Sequence, residues 1–281
     1  MRLARYEFEG RVRIGVVEGD CVVHLSDRIE RLNGDMAHLI EHWADLRSQA
    51  EKLRGRADCR TGDVAFLAPV ERPGKIWGIG LNYRDHIEES GSPVPEEQTW
   101  FVMANTTVAG PYQDIELPRV SKALDYEAEL VFVVGKRIRY ANAGDASDAI
   151  FGYCVGNDIS VRDWQLRTGQ FSIGKSFDTH APYGPWIVTA DEIDPLSLPI
   201  RSYVNDEVRQ QSNTQHLLFT PAQQVEHLSK AMTLEPGDVF FTGTPGGVGG
   251  AMSPPQYLEV GDRVRVEIDG LGYIENTVAK G

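Results

Sequence analysis

Cysteine is scarce in this sequence. Its three residues, Cys21, Cys59 and Cys154, are too few and too scattered for a disulfide framework, and no C-x-x-C pair occurs. A reducing cytoplasm is the expected setting. No apolar run approaches the roughly 18 residues of a membrane-crossing helix, and the opening MRLARYEFEG is charged and strand-like rather than an export signal. Basic residues are outnumbered, 28 against 41 acidic ones, for a formal charge of −13. That balance argues against nucleic acid and anionic membrane surfaces as partners. An anionic substrate would have to be met by local cations, because surface charge is screened beyond about 8 Å. Several motifs are missing too. The glycines of F-T-G-T-P-G-G-V-G-G (241–250) lack the Lys-Ser/Thr of a phosphate-binding loop, and G-I-G (78–80) lacks a third glycine. There is no G-x-S-x-G nucleophile elbow and no H-E-x-x-H zinc motif.

What is present is a chain of 281 residues, enough for a large core. Residues 1–70 read as a small N-terminal α+β domain: short strands, then a helix from about Asp35 to Leu53 with apolar Met36, Leu39, Ile40, Trp43 and Leu46 at helical period. The turn-prone E-R-P-G-K (71–75) reads as a linker. Residues 71–281 are mostly strand-like, with Gly and Pro turns and few helices, so the fold class is mainly β with α, a barrel or sandwich with helical decoration. One helix is plainly signalled at Thr220-Pro221-Ala222-Gln223, by a capping Thr, a first-turn Pro and a Gln three after the cap. The polar loop G-S-P-V-P-E-E-Q (91–98) is either a lid, with residues 91–105 closing over a pocket, or a surface connection, the plainer reading.

The chemistry centres on D-Y-E-A-E-L-V-F-V-V-G-K (125–136). Side chains two apart on a strand share a face, so Glu127 and Glu129 would lie side by side at the mouth of an apolar run, repelling each other unless a cation sits between them. Asp158, in G-N-D-I-S-V-R-D-W-Q (156–165), follows another apolar strand and adds a third carboxylate. Three carboxylates without thiolate or imidazole suit a hard cation, Mg²⁺, Mn²⁺ or Ca²⁺. In G-L-N-Y-R-D-H-I-E-E (80–89), a helix would bring His86 and Glu89 onto one face, where the carboxylate could fix the imidazole tautomer of a general base; a surface ion pair is the plainer reading. Lys175, in S-I-G-K-S, together with Arg162 and Gln165 could supply donors to a carboxylate or an oxyanion, and Thr244 lies in the glycine-rich loop. His38 and His42 could ligate a metal from one helix turn, although a solvated polar face is the simpler account.

Together I-G-L-N-Y-R-D-H-I-E-E (79–89), Y-E-A-E-L-V-F-V-V-G-K (126–136), G-Y-C-V-G-N-D-I-S-V-R-D-W-Q (152–165), G-K-S-F-D-T (174–179), G-P-W-I-V (184–188) and T-G-T-P-G-G-V-G (242–249) resemble the fumarylacetoacetate hydrolase family. The resemblance implies a β-roll or distorted β-barrel catalytic domain and a homodimer. It implies a divalent metal on Glu127, Glu129 and Asp158, water activation by His86 with Glu89, and substrate contacts from Lys175, Gln165 and Thr244. Arg162 would support the metal ligands or the substrate. Tyr83 and Met103 would face the substrate, and Met103 stands where many relatives carry lysine, which implies a less acidic distal group. The implied reaction is cleavage of the C–C bond of acylpyruvate-like 2,4-dioxo acids, including 2,4-dioxo-3-deoxy sugar acids, with negative charge on the departing enolate taken up by the metal. Oxaloacetate decarboxylation or tautomerisation, or isomerisation of 2-hydroxymuconate-type dienes, would use the same site without attack by water.

Overall fold

The computed structural model describes residues 1–30, 32 and 34–281. Its largest sheet runs through Cys59–Arg60, Cys21–His24, Arg11–Glu18, Arg2–Phe8, Ala181–Thr189, Ile150–Asn157, Ala128–Val134, Val239–Phe241, Ile76–Gly80 and Thr99–Val102. Neighbours are antiparallel along this path except Val239–Phe241 against Ile76–Gly80. The path is open rather than closed on itself. Arg2–Phe8 pairs directly with Ala181–Thr189, so the N-terminal strands extend the same sheet as the central ones. A second sheet orders Glu207–Asn213, Pro199–Val204, Arg263–Ile268, Gly272–Lys280 and Ile115–Leu117. The architecture is mainly β with a few helices, as the strand-rich sequence predicts.

The strand Ala128–Val134 explains its own composition. Leu130, Phe132 and Val134 pack with Ile200, Val266 and Ile274 of the second sheet, and Phe132 stacks on Phe240 with ring centroids 5.0 Å apart. Val131 and Val133 face the other way, into a cluster with Ile14, Leu39 and Ile40. A strand covered on both faces reads as an unbroken apolar run, and each such side chain stabilises the fold by about 1.5–3 kcal/mol through burial.

The helix expected over Asp35–Leu53 forms as two: α1, Met36–Glu41, capped by the Asp35 side chain, and α2, Trp43–Leu53, with His42 at the break. Met36, Leu39 and Ile40 are buried as the apolar period requires. The Thr220 capping box with Pro221 in the first turn is present as read. Among the described residues no helix is long and apolar enough to cross a membrane.

Candidate active site

Strand register brings the acids together. Ala128 pairs with Asn157 and Glu129 with Gly156, so the residue before one strand, Glu127, meets the residue after the other, Asp158. The Asp158 amide donates to the Glu127 carbonyl at 2.9 Å, and the Glu127 amide to the Asn157 side chain at 2.9 Å. Glu127 therefore sits in a break between Leu124–Asp125 and Ala128–Val134, not within the one continuous strand that alternation requires. The convergence survives because pairing with a neighbour, rather than alternation alone, produces it. Carboxylate oxygens of Glu127, Glu129 and Asp158 all lie within 4.8 Å of one another, and all three residues are buried.

The surrounding cations account for their electrostatics. Lys175 Nζ donates to Glu127 Oε2 and to Asp158 Oδ2, each at 2.7 Å. Arg162 donates to Glu127 Oε1 at 2.5 Å, to Asp125 Oδ2 at 2.8 Å and to the Gln165 side-chain Oε1 at 2.9 Å. Burial opposes the charge of Glu127, but Lys175 and Arg162 outweigh it and hold its pKa low. Glu129 goes the other way: burial, then Asp158 and Glu127, push it well up. Asp158 is also raised, by burial that Lys175 only partly offsets. Gly243 donates its amide to Glu129 Oε2 at 2.7 Å from a backbone at φ +94°, a conformation side-chain-bearing residues seldom adopt.

These residues fit a divalent cation. Asp158 Oδ1 is buried without a hydrogen-bond partner among the described residues. Fully ionised, the four carboxylates of Asp125, Glu127, Glu129 and Asp158 would carry two more charges than Arg162 and Lys175 supply, an excess that one divalent ion would offset. An all-oxygen set matches a hard ion.

Glu127 opens into a cleft of about 450 Å³ that is also lined by His86, Glu89, Gln165, Lys175 and Thr244. The helix Arg84–Ser90 carries His86 and Glu89 to this rim. Asp85 accepts from the Ser212 hydroxyl at 2.6 Å and the buried Asn82 side chain donates to the Thr242 carbonyl at 2.7 Å, which anchor the helix start. His86 Nδ1 lies 3.4 Å from Glu89 Oε2, and both Glu89 oxygens accept from the Gly247 amide, at 2.9 and 3.1 Å. His86 and Gly247 together outweigh burial and lower the Glu89 pKa. Donation of Nδ1–H to Glu89 leaves Nε2 as the basic nitrogen.

Arg162 fixes the carbonyl end of the Gln165 amide, leaving its N–H groups for a ligand. Thr244 is more occupied: its hydroxyl donates to the Ala128 carbonyl at 2.9 Å and accepts from Gln210 at 2.8 Å. Two candidates do not reach the cleft. Tyr83 is fully buried at the helix N-cap, and Met103 is 1 % exposed within the main apolar cluster. The apolar wall is instead Phe101, two residues earlier, and Phe171, whose rings meet edge to face at 6.3 Å. Phe101 needs Gly78 opposite it, since a Cβ there would lie 2.3 Å from the ring. That pairing of an aromatic with a strand glycine was the signal the sequence offered. Asp125 was also missed, although it begins the very stretch that carries the glutamates.

The fumarylacetoacetate hydrolase C-terminal model matches residues 75–279, and the chain belongs to that family. It is 46 % identical over 219 residues to a mitochondrial oxaloacetate tautomerase of Bos taurus, covering 77 % of this chain and 70 % of the relative. Among solved structures, the fumarylacetoacetate hydrolase of the psychrophile Exiguobacterium antarcticum superimposes with a TM-score of 0.89 at 35 % identity over the whole of both chains. The maleylpyruvate hydrolase of Sphingobium sp. SYK-6, solved with manganese(II) and pyruvate, does so with a TM-score of 0.84 at 32 % identity, again over both chains in full.

Proposed function

We propose that this protein is a divalent-metal-dependent hydrolase that cleaves the C–C bond of acylpyruvate-like 2,4-dioxo acids, the dioxo-deoxy sugar acids among them. The observation that carries this reading is the His86–Glu89 pair, tethered by Gly247, on the same cleft as Glu127 and Lys175. Glu127, Glu129 and Asp158 would hold Mg²⁺ or Mn²⁺, with Ca²⁺ allowed by the same ligands. Bound there, the ion would supply Lewis acidity to the 2-oxo acid end of the substrate. His86 Nε2 takes a proton from water while Glu89 steadies the imidazolium, and the hydroxide adds to the distal carbonyl. The Gln165 amide and Lys175 are the donors at hand for the oxyanion. Collapse breaks the C3–C4 bond, releasing a carboxylic acid and the enolate of a pyruvate-type acid, and the proton returns through His86. Phe101 and Phe171 give the distal acyl group an apolar wall. The protein is proposed to work as a cytoplasmic homodimer.

The bovine tautomerase likeness supports a second reading, tautomerisation or decarboxylation of oxaloacetate, in which His86 moves a proton on carbon and water is not consumed. One assay separates them. Loss of acylpyruvate enol absorbance with stoichiometric pyruvate, in Mg²⁺ or Mn²⁺ and not in EDTA, is expected for the hydrolase. Turnover of oxaloacetate alone would replace it with the second reading.

A further inference from the structure

We propose a second metal site, remote from the cleft, in which His38, Glu41 and His42 bind a divalent transition-metal ion of the zinc or nickel type at the junction of α1 and α2. α1 buries Met36, Leu39 and Ile40, which turns positions 38, 41 and 42 to the opposite side. That spacing of i, i+3 and i+4 stacks the three on one helix face, and two histidines four apart on a helix are a zinc-chelating arrangement. One donor atom from each of the three lies within 4.8 Å of the others.

The turn is already set for the task. Asp35 accepts from the His38 amide at 3.2 Å, and the His42 amide donates to the His38 carbonyl at 3.2 Å, so the helical turn between the ligands is closed at both ends. The two imidazoles lie side by side with ring centroids 4.3 Å apart. His42 Nδ1 is 3.0 Å from the His38 carbonyl oxygen. A carbonyl only accepts, so Nδ1 carries the proton and Nε2 keeps its lone pair, the same device by which metal-binding imidazoles are oriented elsewhere. Glu41 makes no ion pair among the described residues and contributes a carboxylate oxygen.

Two nitrogens and one oxygen select a borderline transition metal, with water free to complete the shell, whereas the oxygen-only triad selects a hard ion. The chain would thus sort two metals between two sites. An ion here bridges the end of α1 to the first residue before α2, where the helix breaks, and would stiffen that joint.

The test is calorimetric titration of the full-length protein with Zn²⁺ in excess Mg²⁺, alongside His38→Ala/His42→Ala and Glu129→Gln. One zinc equivalent is expected in the wild type and in Glu129→Gln, and its loss in the double histidine variant, with Mg²⁺-dependent turnover of that variant unchanged. X-ray absorption on the zinc-loaded protein should show scattering from two imidazole rings. Equal zinc uptake by the wild type and the histidine variant, or sulfur or oxygen-only ligation, would overturn the proposal. His42→Gln alone should weaken binding by about tenfold or more.

Discussion

Asp125 and Arg162 form a largely buried pair 2.8 Å apart that ties the glycine-rich loop to a metal-ligand candidate. The same carboxylate accepts from the Gly249 and Gly250 amides at 2.8 Å each, while Arg162 reaches on to Glu127. Neither residue is one of the three triad carboxylates, yet together they hold Glu127 in place through the Arg162 hydrogen bond. Asp125→Ala should strand Arg162 and both amides. Removing one partner of a buried pair costs about 3–5 kcal/mol, and the retained Glu127 contact puts this case near 3. Urea unfolding measures it, and a loss below about 1 kcal/mol would show the pair to be dispensable.

The His86–Glu89 pair predicts separable losses. His86→Ala should lower kcat by about 10²–10⁴-fold with Mn²⁺ affinity unchanged, because its imidazole is not among the triad's donors. Glu89→Gln should lose less and should shift the pH profile, since the Gly247 amide still has an acceptor. Normal turnover by His86→Ala would remove water activation from the mechanism.

Metal binding should appear as stability. A ligand at a hundredfold excess over its dissociation constant adds about 2.7 kcal/mol to the folded state, so EDTA should lower the thermal midpoint. Glu129→Gln should abolish that shift while leaving the metal-free protein no less stable, because it removes a carboxylate that burial, Asp158 and Glu127 already disfavour as a charge.

His180 predicts an acid-side loss of stability. Its Nε2–H donates to the Glu116 carbonyl at 2.8 Å, Nδ1 is buried without a partner among the described residues, and burial pushes its pKa down to about 4. In the unfolded chain it titrates near pH 6.5. Between those values the unfolded chain takes the proton the folded one refuses, so this contribution is complete above about pH 6.5 and declines as pH falls toward 4. The decline approaches about 3 kcal/mol. Urea midpoints of wild type and His180→Asn at pH 7 and about pH 4.5 should diverge accordingly, and parallel curves would refute it.

The cleft wall predicts substrate preference. Phe171→Ala should cut kcat/KM for a bulky apolar acyl group by about tenfold relative to an acetyl group. Met103→Lys should not create an acid-binding site. It would bury an ammonium in the core at a cost of several kcal/mol, so loss of folded protein is the expected result, and a folded variant with a new taste for dicarboxylates would contradict the placement of Met103.

Local chemistry made much of this protein legible in its sequence. The apolar run from Leu130 to Val134 announced a strand buried on both faces, Thr220 to Gln223 announced a helix start, and a pair of glutamates at a strand mouth announced a cation. Those features depend on neighbours along the chain, whose periodicity and side-chain reach are short-range properties. What the tertiary structure alone decided was pairing. Glu127 meets Asp158 because of strand register, Asp125 meets Gly249 because a loop 124 residues later folds across it, and Phe101 rather than Met103 lines the cleft, although positions two apart share a strand face, since the strand Thr99–Val102 ends before Met103 and the thioether packs into the apolar cluster. Such choices are made by non-local packing, which a single strand's pattern does not encode.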